Sequence, residues 1–317
     1  MILGVDVSVW NTDIDWDILY AGGVRFAIVK ISQGRYIKDS RARSHTEAAR
    51  KAGILVGGYH WDDPMQDDKL QANNAISVAK DLDIKFISVD VEQYWQYWSE
   101  FYANAVVNFI QPERIKTSAW NIYYHIKQAE LNSLIYTRGT FVQAYSPQMF
   151  TWLRIFMNWY ASYPYKKGRV NISWADIMNT TTWYPKGTPV LPQGVPYCLW
   201  QFSGDKFILP GTGRSPIDLN FYTESQEELE ALFGGKAIIP TPPTPGNEVE
   251  MKLMTQRIVT ARATPNALGT TIRMRPAGEV IIVQEIRVLN SSSVWVKDQV
   301  GWSAVVHGGV VYMKETT

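Results

Sequence analysis

Cysteine occurs once in the 317 residues, at Cys198, which excludes an internal disulfide and a thiolate metal cluster. Long apolar runs are missing too. No stretch approaches the ~18 uninterrupted apolar residues of a membrane span, so no membrane insertion is expected. Neither sign of charge is in excess. Thirty-one basic residues against 30 acidic ones leave +1, which gives no electrostatic reason to expect nucleic acid as a partner. With 46% apolar residues the chain is not short of core material, which excludes a disordered or collagen-like protein. A basic leader and a small-residue cleavage site are also lacking ahead of the first apolar run, Ile2 to Val7, so no secretory signal is expected. Synthesis in a cytoplasm follows as an expectation, and a target outside it would need another route of release. What the chain has in quantity is aromatic: 13 Trp and 17 Tyr. Such rings suit sugar stacking and equally fill cores.

Strand-like apolar runs alternate with helical patterns over residues 1–235. The strands are expected at 2–7, 25–31, 54–61, 85–92, 133–137, 156–161, 197–202 and 218–222. Helices are expected at 15–21, 42–52 (ended by Gly53) and 69–82. Continuous apolar strands between helices predict a parallel sheet covered on both faces, and their number favours a (β/α) barrel over an open sheet. The later strands have poorer intervening helices, so the barrel is expected to be irregular. Residues 236–250 hold four prolines and no period, as an extended linker does. Residues 251–317 read as a small all-β domain of short runs broken by Gly, Asn and Ser, with eight basic against four acidic residues. The expected α/β chain is thus a barrel domain over 1–235, a linker over 236–250 and a β domain over 251–317.

Carboxylates stand at the strand ends. Asp90 and Glu92 are two apart and point to one face. At the C-terminal end of a barrel strand both face the mouth, where barrel active sites lie. Burial and mutual repulsion are expected to raise one pKa and so keep a general acid protonated. Asp6 ends the first strand and Asp218 begins the last, and these strands are neighbours once a barrel closes. Four acids of this kind suit glycosidic cleavage. Each acid alone is equally well read as a helix cap or an ion-pair partner, and the set could also hold a divalent metal. Nothing resembles a calcium or phosphate loop, so neither a metal nor a cofactor is expected.

The residues also resemble a known family. Gly4 to Ser8 (GVDVS), Ile14-Asp15-Trp16, Ala27 to Gly34 (AIVKISQG), Ala48 to Gly53 (AARKAG), Gly57 to Trp61 (GGYHW) and Ser88 to Glu92 (SVDVE) are followed by Leu134 to Thr137 (LIYT), Trp159 to Tyr163 (WYASY), Leu199 to Phe202 (LWQF) and Ile217 to Phe221 (IDLNF). In this order the pieces resemble glycoside hydrolase family 25, the Chalaropsis-type lysozymes found in phage endolysins and bacterial autolysins. The resemblance implies an irregular (β/α) TIM-like barrel. It also implies cleavage of the β-1,4 bond between N-acetylmuramic acid and N-acetylglucosamine in bacterial peptidoglycan, with net retention. It places the general acid on Glu92 and companion acids on Asp90, Asp6 and Asp218. An endolysin made in the host cytoplasm and acting on the wall after release fits this reading. Departures are Val9-Trp10-Asn11, Trp61 where Phe is usual, and an unusually aromatic stretch at 93–118. Residues 251–317 are similar to a bacterial SH3-type wall-binding domain through Trp295-Val296-Lys297, Gly301-Trp302 and Val310–Met313. A glycosidase for another acetamido-sugar polymer such as chitin, and a wall-binding protein without activity, are the alternative readings.

Substrate contacts are expected from Tyr59, Trp61, Lys30, Tyr163, Trp200 and Gln201, with core packing the alternative for each ring. Trp159 and Trp183 stand in the same balance. His60 alternates out of phase with Tyr59 and Trp61, which fits a packed, hydrogen-bonded core histidine. Lys30 lies inside an apolar strand and needs a carboxylate partner, with Asp6 the candidate. Cys198 reads as a buried small hydrophobe, and Arg273 and Arg275 as residues of a solvated face.

Overall fold

Eight short runs with inward–outward alternation form the strands of the first unit: β1 (Ile2–Val7), β2 (Val24–Gln33), β3 (Leu55–Trp61), β4 (Phe86–Asp90), β5 (Asn132–Arg138), β6 (Asn158–Ala161), β7 (Tyr197–Ser203) and β8 (Asp218–Tyr222). The computed structural model describes residues 1–317 except 103–107, 154–156, 165–167, 179–194, 205, 236–251, 266, 283–284, 291–292, 308–309 and 317. Trp183 and the proline-rich run at 236–250 therefore lie outside the described residues. Two compact units emerge, Met1–Ile238 and Ile239–Thr317.

Strands β1 to β7 run parallel in the order β1-β2-β3-β4-β5-β6-β7, and β8 closes the sheet between β7 and β1. Here the structure corrects the expectation of an all-parallel barrel: β8 is antiparallel to both neighbours. A parallel return needs a long crossover, usually helical. The described residues between β7 and β8 contain a two-residue strand, Phe207–Ile208, and turns, but no helix.

Helices cover the outside where their sequences start and stop them. Asp15 caps α1 (Trp16–Ala21) and Asp67 caps α3 (Asp68–Asp81) by accepting from backbone N–H groups. α2 (Ala42–Lys51) ends ahead of Gly53, whose φ of +86° suits only glycine without strain. A five-residue helix, α4 (Trp98–Tyr102), precedes α5 (Pro112–Gln128), which the sequence analysis did not anticipate and which starts on proline. α6 (Gly139–Tyr145) follows β5. α7 (Gln226–Phe233) opens on a reciprocal Ser225–Glu228 capping box. Among the described residues no helix is long and apolar enough to cross a membrane.

The two sides of the sheet pack separately. Outward residues such as Leu3, Val5, Val29 and Ile87 join the helices in one core. Inward residues fill the barrel, and Leu229, Leu232 and Phe233 of α7 close its base against Phe26 and Phe86. Cys198 lies in this inner core as the expected buried thiol.

The second unit is all-β. β9 (Lys252–Thr255), β10 (Val259–Arg262), β11 (Thr271–Arg275), β12 (Val280–Ile282), β13 (Glu285–Asn290), β14 (Ser293–Lys297), β15 (Trp302–His307), β16 (Val310–Val311) and β17 (Met313–Thr316) pair antiparallel in two sheets. Trp295, Trp302, Ile281 and Met313 are in their shared core. Arg275 departs from the expected solvated face. It is buried, with Nε donating to Ser303 at 3.0 Å and the guanidinium paired to Glu279 at 2.5 Å and Asp298 at 2.7 Å. Arg273 shares Glu279 but stays half exposed.

Gly4 faces the packed base of the barrel, where an added methyl carbon would sit 2.2 Å from the Phe26 ring. Gly4→Ala is expected to cost about 1–3 kcal/mol by overpacking, read as a lower urea midpoint. An unchanged midpoint would show that Phe26 can move aside.

Candidate active site

The antiparallel closing strand decides what meets at the mouth. Because β8 runs downward, its first residue lies at the end where the parallel strands finish. Asp218 is the register partner of Asp6, and their carboxyls share a hydrogen bond. In a fully parallel barrel Asp218 would have been at the base. Asp90 ends β4 and Glu92 follows two residues later. Asp6, Asp90, Glu92 and Asp218 line one open cleft with Tyr59, Trp61, Tyr136, Trp159 and Gln201.

The floor is aromatic and tied together. Trp159 packs against Tyr136 and Tyr59, with ring centroids 4.5 and 6.2 Å away. Its indole N–H donates to Asn220 Oδ1 at 2.8 Å. Asn220 in turn donates to Asp6 Oδ2 at 2.8 Å, and Gln201 donates to the same oxygen at 2.9 Å. Gln201 Oε1 accepts from Tyr136 at 2.7 Å and from Tyr163 at 2.8 Å. Asp6 is thus oriented by amides from two strands. Tyr136 lines the cleft and buried Asn220 supports Asp6 from behind, and the sequence analysis had not singled out either. The inward alternation of β5 and β8 was the available signal.

Burial raises the carboxyl pKa values of Asp6, Asp90 and Glu92. Hydrogen bonds from Asn220, Gln201 and Asp218 oppose it at Asp6. At Asp90, held well above the usual range, the charge of Glu92 adds to burial and Lys30 opposes. At Glu92, Arg138 and Lys30 oppose, and Asp6 adds. The mouth therefore favours the neutral form of these three carboxyls more than water does. Glu92 is only partly covered, whereas Asp90 is buried and its Oδ1 meets no donor among the described residues.

The remaining expected contacts divide. Tyr59, Trp61 and Gln201 line the cleft, and Tyr163 stands half exposed at its rim, bonded to Gln201. Trp200 does not reach it: it is 2% exposed on the opposite face of β7, against Phe202 and Phe221, with its N–H donated to Ser162 O. Adjacent strand residues face opposite ways, so Gln201 inside puts Trp200 outside. Lys30 is not Asp6's partner. Its ammonium lies 4.8 Å above the Trp61 ring and 3.0 Å from Gln33 Oε1, and Asp90 is the carboxylate it feels most.

Residues 5–206 of the chain match the model of Glycosyl hydrolases family 25. The chain belongs to that family. Sixty-three residues, 20% of the chain, are 36% identical to Lysozyme M1 of Streptomyces globisporus, and they span only 21% of that relative's length. The bacterial lysozyme from Streptomyces coelicolor superposes with a TM-score of 0.56 at 20% identity, over 74% of this chain and 98% of that one. The catalytic domain of endolysin ply40 from bacteriophage P40 of Listeria monocytogenes gives 0.52 at 20% identity, over 75% and 98%. The family 25 fold thus carries the four acids at its strand ends.

Behind the cleft wall of this family 25 barrel lies a second polar network. His60 is fully buried, as its phase implies: Nδ1 accepts from Ser32 at 2.8 Å and Nε2 donates to Gln71 at 3.4 Å, and burial depresses its pKa to about 4. Asp62 is buried too. It accepts from Ser118 at 2.6 Å, and its backbone N–H donates to Asp90 O at 3.0 Å. Burial first, then the charges of Asp68 and Asp63, raise its pKa to about 8 against the pull of Ser118 and Arg114. Asp62 therefore keeps its proton in the fold and releases it near pH ~4 when unfolded. Between those values the folded chain binds more protons, so stability falls as pH rises, by about 1.4 kcal/mol per unit from this group. Asp62→Asn keeps the acceptor for Ser118 and removes that dependence. Urea midpoints across pH are expected to show the variant gaining on the parent up to about pH 8 and levelling off above. A difference that does not change with pH would mean Asp62 ionises like an ordinary carboxyl.

Proposed function

We propose that the chain is a peptidoglycan hydrolase cleaving the β-1,4 bond between N-acetylmuramic acid and N-acetylglucosamine, and that it serves as a phage or prophage endolysin. The observation that carries this reading is four carboxyl groups at one barrel mouth above a ring-lined floor, in a chain of family 25. The names of its neighbours, lysozymes and a phage endolysin, point the same way.

In this reading Glu92 protonates the leaving glycosidic oxygen. It is the more open of the pair, its side chain is longer, and burial raises its pKa, which favours the protonated form a general acid needs. Asp90 faces the positive charge that develops on the sugar. Its donor-less Oδ1 suits acceptance of an acetamido N–H, which would orient the acetamide carbonyl toward the anomeric carbon. Asp6 and Asp218 share a proton and fix the wall opposite, while Tyr59, Trp61 and Gln201 contact the sugar.

Residues 251–317 complete the proposal as an SH3-type wall-binding domain, joined to the barrel domain (1–235) by the proline-rich run at 236–250. Its basic surplus favours an anionic wall, and tethering raises the local concentration of the barrel.

Three outcomes check this. Glu92→Gln is expected to fold and bind walls but to release muropeptides ~10²–10⁴-fold more slowly. Mass spectrometry should find N-acetylmuramic acid at the new reducing ends made by the parent chain; N-acetylglucosamine there would overturn the bond assignment. A 251–317 fragment is expected to sediment with purified walls at low salt. If it stays in the supernatant, that region has another role.

A further inference from the structure

Residues 93–102 and 108–111 follow β4 and carry side chains that no step above uses. Tyr97 (60%), Trp98 (54%) and Tyr102 (66%) are largely exposed, with Phe101 and Phe109 beside them. α4, which carries three of these rings, buries no side chain at all. Monomeric proteins seldom expose so many large rings together unless the patch binds something.

The patch is held in place. Gln96 N–H donates to Asn108 O at 3.0 Å and Ile110 N–H to Tyr94 O at 2.9 Å, tying the two limbs of the loop. Tyr94 stacks on Tyr145 of α6 at 4.2 Å. Buried Trp95 anchors the rings from below, 4.5 Å from Phe101 and 5.6 Å from Trp98. It also connects them to the cleft: Trp95 lies 6.3 Å from Trp61, the ring in the cleft wall beneath the Lys30 ammonium. An unbroken series of ring contacts thus runs from the carboxylates through Trp61 and Trp95 to Trp98 and Tyr102.

The occupant follows from the chemistry. Glu100 is the only charged residue in 93–111, so this segment itself brings no cluster of cations for an anionic lipid surface or polyanion. What it offers is flat apolar faces bordered by the side-chain amides of Gln96 and Asn108, and buried Trp95 joins it to the cleft ring Trp61. Sugar rings, apolar on their C–H faces and polar at their edges, match that composition, and a polymer leaving the cleft over Trp61 would reach it. We propose that the α4 shelf is a glycan-binding platform outside the cleft, on which Trp98 and Tyr102 stack sugars of the same strand that the carboxylates cleave. This rests on the peptidoglycan hydrolase reading for the identity of the strand.

Because both rings are exposed, Trp98→Ala with Tyr102→Ala should leave the fold intact, as near-ultraviolet circular dichroism and the urea midpoint would verify. The full chain is assayed on uncross-linked peptidoglycan strands sorted by length. The double variant is expected to show a KM raised at least about fivefold on the longest strands, with kcat unchanged and the defect shrinking as strands shorten. The same pair of changes in a Glu92→Gln chain should weaken calorimetric binding of long strands by a similar factor, a reading that needs no cleavage. Unchanged binding and KM on long strands would overturn the platform. So would a defect seen instead in binding to phosphatidylglycerol vesicles or in self-association, with glycan affinity kept. Should the parent chain bind strands in a length-dependent way but cleave none, the proposed reaction falls and the platform stands.

Discussion

Much of the molecule depends on the antiparallel insertion of β8 between β1 and β7. Parallel strands all finish at one end of a barrel, so a residue that starts a parallel strand lies at the opposite end from one that finishes it. Reversing a single strand brings Asp218 level with Asp6 and Asn220 within reach of the same carboxylate. It also dispenses with a crossover helix between β7 and β8. α7 then closes the base with Phe233 packed on Phe26 and Phe86.

Closure has an electrostatic consequence. Four acids gather where desolvation penalises charge, and the nearby cations are Lys30 and Arg138 among the described residues. The repulsion is relieved by raised carboxyl pKa values, by the shared Asp6–Asp218 hydrogen bond and by amides from Gln201 and Asn220. Each device orients a carboxyl without neutralising the whole cluster. A site of this kind has carboxyl pKa values raised toward the range that acid-assisted cleavage of a glycosidic bond uses. The Asp62–Ser118–Asp68 network behind β4 stores another proton, and its backbone bond to Asp90 ties it to the same strand end.

The aromatic richness divides into three uses. Trp159, Tyr136 and Tyr59 make a floor whose polar tips position the acids. Trp200, Phe202 and Phe221 serve the layer between sheet and helices. Tyr97, Trp98 and Tyr102 remain in water beside the cleft.

Periodicity made most of the barrel legible in the sequence, because a strand or helix that buries one face must write that face into its residues. All eight strands were located by it, and so were the Asp90–Glu92 pair and the buried role of His60. Apart from the meeting of the first and last strands, neighbour relations were not legible. The direction of β8, the separation of Lys30 from Asp6, the outward turn of Trp200 and the burial of Arg275 depend on residues far apart in the chain. So does the joining of Trp61 to the α4 rings through Trp95. A side chain's partner across a closed sheet is set by register and strand direction, and those are fixed only when every strand has found its place. The sequence by itself determined which residues would carry charge and rings; the tertiary structure decided which of them face one another.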